Sequence, residues 1–162
     1  MSELGSAPVP RVGPDDHVRG TGEMAIVYAD LGCPHCAAVW VELAESGRRI
    51  AFRHFPVRSK HPRAPELHGA AEAAGIQGAF FELVDSLYTD RGHVDDPHLW
   101  QRVESLGLDL DRFERDRRSD VVATRVRRDF ESGIRAGVAG TPAIFGAGGQ
   151  SVSLVSERER EF

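Results

Sequence analysis

MAIVYADLGCPHCAAVW, residues 24–40, decides the fold. Its first part, Met24 to Asp30, is a short apolar stretch of strand length. Its last part continues at helical spacing, with Cys36, Trp40, Leu43 and Ala44 at i, i+4, i+7 and i+8. Between the two stand Cys33, Pro34, His35 and Cys36, which hold the only cysteines of the chain. The spacing therefore predicts a strand that hands over to a helix, with Cys33 at the N-cap and Pro34 at the first helical position. A thiol there faces unpaired backbone N–H groups and the positive end of the helix dipole, which favours its thiolate. That placement points to thiol–disulfide chemistry.

Working outward, residues 1–22 read as a flexible lead-in, rich in proline, glycine and aspartate. The motif helix runs to about Ser46, and Gly47 suits its end. Arg49 to Val57 is rich in strand formers. A strand–helix–strand unit of this length favours a right-handed crossover and parallel pairing. From about 63 to 136 the period becomes helical, with five helices expected. Their apolar positions are Leu67, Ala71 and Ala74; Phe80, Val84, Leu87 and Tyr88; Leu99 or Trp100, Val103 and Leu106; Leu110 and Phe113, with Asp109 as a cap; and Val122, Val126, Phe130 and Ile134. Gly140, Thr141 and Pro142 then lead into a hairpin of Ala143 to Phe145 and Ser151 to Val155. The expected fold is α/β, with a helical block inserted into one domain over 23–155 and a polar tail at 156–162.

Composition narrows the function classes. The net charge of -5 argues against a general nucleic-acid binder. The apolar runs are far below the roughly 20 residues that cross a bilayer, so no direct membrane insertion is expected. The first 23 residues lack the apolar core of a secretory signal, so a cytoplasmic location is expected. In that compartment a close cysteine pair is catalytic, redox-sensing or metal-binding rather than structural. Zinc would want about four ligands, and no second cysteine pair exists; His35, His54 and His61 lack the usual spacing. No metal and no cofactor are therefore expected.

The stretches VYADLGCPHC, FRHFPVRSKHPRA, AAEAAGIQGAFFELVDSLY and FESGIRAGVAGTPAIF occur in that order and cover most of the chain. In them the chain resembles the DsbA-like thioredoxin-fold disulfide oxidoreductases. The resemblance implies a thioredoxin-like fold with an all-helical insertion. It implies Cys33 as nucleophile, Cys36 as resolving thiol, and His35 as the residue that stabilises the reduced pair. It implies a cis proline at Pro142, beside the cysteines, with Pro34, Thr141 and Pro142 receiving substrate. Partners would be protein or small-molecule disulfides and dithiols, together with a separate redox partner.

Two departures stand out. Relatives carry a buried Glu six positions before the first cysteine, where this chain has Val27. Relatives also follow the hairpin with a helix that covers the sheet, whereas this chain ends in ERERE and Phe162. The uncovered face would then need another cover, for which a homodimer is one candidate. These departures leave room for an alternative: a non-enzymatic redox-sensing or binding module on the same fold. Asp30 reads as a solvated acid ahead of the cap. His54, His61, His68, His93 and His98 read as surface or packing residues, and the arginines of 115–128 as a solvated helix face.

Overall fold

The computed structural model describes residues 7–153. Four strands, β1 (His17–Arg19), β2 (Met24–Ala29), β3 (Arg49–His54) and β4 (Ala143–Gly146), form one sheet in the order β1-β3-β2-β4. β2 and β3 run parallel, with Val27 opposite Phe52, joined by α1 (Pro34–Glu45). β4 runs antiparallel to β2, with Val27 opposite Ile144. Between β3 and β4 lie α2 (Ala64–Ile76), α3 (Phe80–Thr89), α4 (Asp96–Ser105), α5 (Leu110–Asp116) and α6 (Asp120–Arg135). The thioredoxin-like architecture with a helical insertion is thus present.

Local chemistry sets the helix ends. Asp95, Asp109 and Ser119 each accept a hydrogen bond from the backbone N–H three residues on, and so cap α4, α5 and α6. Gly47 turns the chain out of α1 at φ +72°, a conformation that costs glycine nothing.

The sheet has a core on each face. Alternate residues of β2 and β3 (Ala25, Val27, Ala29, Ile50 and Phe52) pack against α1 and the helical block. Ile26, Tyr28 and Ala51 face the other way, onto Phe55, Phe130 and Val138. Val9 and Val12 pack on that second cluster too. The face expected to lack a cover is therefore partly covered by the first part of the chain.

Of the lead-in expected over 1–22, residues 1–6 lie outside the described residues, and residues 7–22 are not simply flexible. Residues 7–22 carry β1, which pairs antiparallel with β3. The Ala7 amide donates to the Arg135 carbonyl, and buried Arg53 pairs with Asp16 at 3.1 Å. A strand of three residues shows no readable period, which is why composition alone suggested a linker. The expected last strand reduces to one bridge, Ser151 against Phe145, and one amide bond, Val152 to Ile144. Its remainder and the polar tail lie outside the described residues. Ile134 leaves the apolar stripe of α6 and is exposed.

Candidate active site

The loop after β2 delivers the cysteines. Cys33 is the N-cap of α1 in extended conformation, Pro34 follows it, and the Cys33 sulfur accepts the Cys36 amide at 3.4 Å. Both are free thiols, Cys33 half-buried and Cys36 buried. Pro34 and His35 are exposed, and His35 makes no hydrogen bond or ion pair among the described residues.

Burial pushes the Cys36 thiol up to about 12, against the hydrogen bonds from the Asp30 backbone and the Thr141 side chain that favour its charged form. The cis Thr141–Pro142 bond thus sits at the cysteine pair. The chain brings Cys33, Cys36 and Thr141 together, although Thr141 is separated from the motif by the whole helical block. Tyr88 is buried nearby, and its hydroxyl donates to the Asp30 carbonyl at 3.0 Å. Burial, and then the charges of Cys36, Asp30 and Cys33, raise the Tyr88 phenol well above its ordinary value, so it stays a donor.

Asp30 is not a solvated acid: it is fully buried. Its carboxylate accepts the Gly32 and Val57 amides, both at 2.9 Å, and so ties the loop before Cys33 to the end of β3. Burial disfavours its charge, but the hydrogen bonds from the Gly32 and Val57 amides favour it, and its carboxyl is held below the usual range.

Behind Asp30 runs a buried polar chain that involves His54 and His68, residues expected only to pack or to lie on the surface. The Leu31 amide points at His68 Nε2 at 3.0 Å, His68 Nδ1 meets His54 Nδ1 at 2.7 Å, and His54 Nε2 meets Glu72 at 3.0 Å. His17 Nε2 closes the chain on the same Glu72 oxygen. An amide can only donate, and this fixes every proton that follows. His68 Nε2 must accept, so a neutral His68 carries its proton on Nδ1. His54 Nδ1 then accepts, and His54 Nε2–H donates to Glu72. Burial keeps His68 neutral, down at about 4. Burial also opposes the Glu72 charge, but His17 and His54 hold its carboxyl well below the usual range.

His17, His54 and Glu72 also offer three metal-ligand atoms within 4.8 Å of one another. In the arrangement just derived His54 Nε2 carries a proton, so a metal ion there would have to break the chain at His54. Val27 is buried among apolar residues.

A cavity of about 330 Å³ opens beside Cys33 and Pro34. A larger one, about 560 Å³, lies between Pro56 and Phe130 and includes neither cysteine.

Comparisons with known proteins agree with this fold. A family profile described as the DSBA-like thioredoxin domain matches residues 63–159. Similar solved structures include a thioredoxin-like oxidoreductase from Silicibacter pomeroyi DSS-3 (TM-score 0.76, 20% identity, 92% of this chain and 90% of that one). They also include oxidised BdbD from Bacillus subtilis (TM-score 0.77, 13% identity, 97% and 95%). The thiol-disulfide exchange protein alpha-DsbA2 from Wolbachia pipientis is similar as well (TM-score 0.73, 17% identity, 91% and 86%). At these identities the likeness is one of fold. Among curated relatives, a protein named Na(+)/H(+) antiporter NhaA 1 of Salinispora arenicola is 38% identical over 83% of this chain and 22% of its own length. One named Na(+)/H(+) antiporter NhaA, of Herminiimonas arsenicoxydans, is 36% identical over 84% and 23%. The chain thus spans under a quarter of the length of these relatives.

Proposed function

This chain belongs to the DSBA-like thioredoxin domain family, and from that premise we propose that it is a dithiol–disulfide oxidoreductase in which Cys33 attacks and Cys36 resolves. One observation carries the reading: a half-buried Cys33 caps α1 with its sulfur on the Cys36 amide, while Cys36 is buried, with the Thr141 side chain among the groups that act on its thiol. The first N–H groups of α1 solvate negative charge on the outer sulfur, and the inner sulfur is kept from premature reaction by burial.

In the proposed cycle the Cys33 thiolate attacks a substrate disulfide and one substrate thiolate leaves, which gives a mixed disulfide. Cys36 then loses its proton and attacks the Cys33 sulfur, so that the second substrate thiol departs and the protein pair is left oxidised. Run in reverse, the same steps oxidise a substrate dithiol. At the resolving step the Thr141 hydroxyl and the Asp30 amide are the polar groups that meet the Cys36 sulfur as charge develops on it. The Thr141 backbone and the flat ring of Pro142 suit an extended peptide beside the pair. His35, exposed at the first turn, can reach a substrate or the mixed disulfide rather than the buried thiol.

The decisive test is trapping. Cys36→Ser is expected to accumulate a mixed disulfide at Cys33 with a model disulfide-bonded peptide, seen as one added mass. Cys33→Ser is expected to lose exchange activity by a thousand-fold or more, on the order of 4 kcal/mol. Equal activity of Cys33→Ser and the parent would end the proposal.

A second reading rests on the relatives, which are named as ion antiporters and in which the matching region is under a quarter of the chain. On that reading the cysteine pair senses redox state and alters an interaction. The two part on turnover with a dithiol donor: a sensor oxidises once and stops, whereas an oxidoreductase cycles.

A further inference from the structure

The cavity beside Cys33 joins an apolar wall to a basic rim at the cysteine pair itself. Its inner wall is apolar, with Ala37, Leu67, Leu87 and Tyr88 among its residues. Lys60, Arg63 and Arg91 also line it, and no aspartate or glutamate does. In a chain with a net charge of -5, this places three cations and no acid at the reacting thiol. Arg63 is already engaged with the Val94 carbonyl and Asp96. Lys60 and Arg91 are exposed, and neither has an ion pair or a hydrogen-bonded side chain among the described residues. Two unpaired cations at the mouth of an apolar cavity suit a ligand with an apolar middle and carboxylate ends. The volume, about 330 Å³, is at the small end for ligand sites, which run from roughly 300 to 1,000 Å³.

We propose that this cavity binds a small anionic thiol or its disulfide, a short peptide thiol that carries carboxylates, with Lys60 and Arg91 meeting the carboxylates and Cys33 meeting the sulfur. The proposal rests on the oxidoreductase reading for its chemistry but not for its binding. The balanced step takes the protein dithiol and one small disulfide to the protein disulfide and two small thiols. Cys33 attacks one sulfur, the S–S bond breaks, and the leaving thiolate takes up a proton. Cys36 then gives up its proton and attacks Cys33, which frees the second thiol. Two electrons pass from the protein pair to the small disulfide.

The test measures oxidation of the reduced protein by glutathione disulfide, which is anionic, and by 2-hydroxyethyl disulfide, which is neutral. The ratio of the two rates is the readout. Lys60→Gln/Arg91→Gln is expected to lower that ratio at least about five-fold, and added salt should lower it in the parent alone. Arg48→Gln, beyond the far end of α1, is expected to leave the ratio unchanged. A parallel arm titrates unreactive S-methylglutathione into the Cys33→Ser protein and follows the amide resonances of Gly32, Gly92 and Val94. Shifts at these residues that disappear in the Lys60/Arg91 double variant support the site, even where no disulfide exchange occurs and the oxidoreductase reading fails. An unchanged rate ratio with no such shifts overturns the site, even where exchange proceeds and that reading stands.

Discussion

The Leu31 amide donates to His68 Nε2 at 3.0 Å, two residues before the half-buried Cys33. This bond makes the loop that carries the thiols depend on the protonation of a buried histidine. His68 is held at about 4, against an ordinary value of 6.5, by burial. Between those values the unfolded chain takes a proton that the folded chain refuses. The stability His68 contributes is therefore complete above about pH 6.5 and is lost as the pH falls toward 4, by about 3 kcal/mol in all. Asp30 and Glu72, both held below the usual carboxylate range, add further loss at lower pH. Urea titrations at pH 7, 6 and 5 should show the parent losing stability with a slope about one proton steeper than His68→Gln. Parallel slopes would show that His68 does not carry the effect.

Cys33 and Cys36 should differ sharply toward an alkylating reagent. Cys36 is 2% exposed and its thiol lies near 12, so almost none is thiolate at neutral pH. Iodoacetamide at pH 7 is expected to modify Cys33 at least about 100-fold faster than Cys36, read by peptide mass spectrometry. In denaturant the two should converge. Comparable rates in the native protein would contradict the burial of the inner thiol.

Asp16 is the buried partner of Arg53, whose side chain is 3% exposed and also donates to the Tyr28 hydroxyl at 3.1 Å. Removing the acid leaves a buried guanidinium without its counter-charge. Asp16→Ala should lower stability by about 3–5 kcal/mol, seen as a lower urea midpoint with an unchanged slope. A loss below about 1 kcal/mol would mean that the first part of the chain is only loosely attached.

Gly133 lies where α6 crosses the second face of the sheet. A Cβ there would come within 2.8 Å of the Phe55 ring and 2.9 Å of the Tyr28 ring. Both rings are buried and cannot swing aside cheaply. Gly133→Ala is expected to cost about 1–3 kcal/mol through overpacking, measured by the same titration. A neutral or stabilising result would show that the helix can shift.

Much of this was legible in the sequence because it is local. The N-cap at Cys33, the proline after it and the caps at Asp109 and Gly47 are contacts within a few residues. What escaped reading depends on distant segments meeting. β1 is too short to carry a period, and its meaning lies in Asp16 reaching Arg53. The His68–Glu72 pair did leave a trace: two polar residues at i, i+4 in a helix otherwise rich in alanine and glycine. His54 left another, since it follows Phe52 by two on a buried strand face. Only the parallel register of β2 and β3, with α2 laid across it, turns those traces into one chain ending at the loop before Cys33. Thr141 could be tied to the cysteines only through the family resemblance, because no short-range pattern links them.

The pairing of β4 with β2 brings together segments separated by all of α1 to α6. Closing so long a loop is slow compared with forming a helix or the β2–α1–β3 unit. On that tendency the cysteines come into place on a folding chain before β4 brings Ile144 into the cluster that buries the inner one. In that interval both sulfurs are open to oxidants, to each other and to neighbouring chains. A newly made molecule acquires its distinction between an outer and an inner thiol late, when the last strand docks.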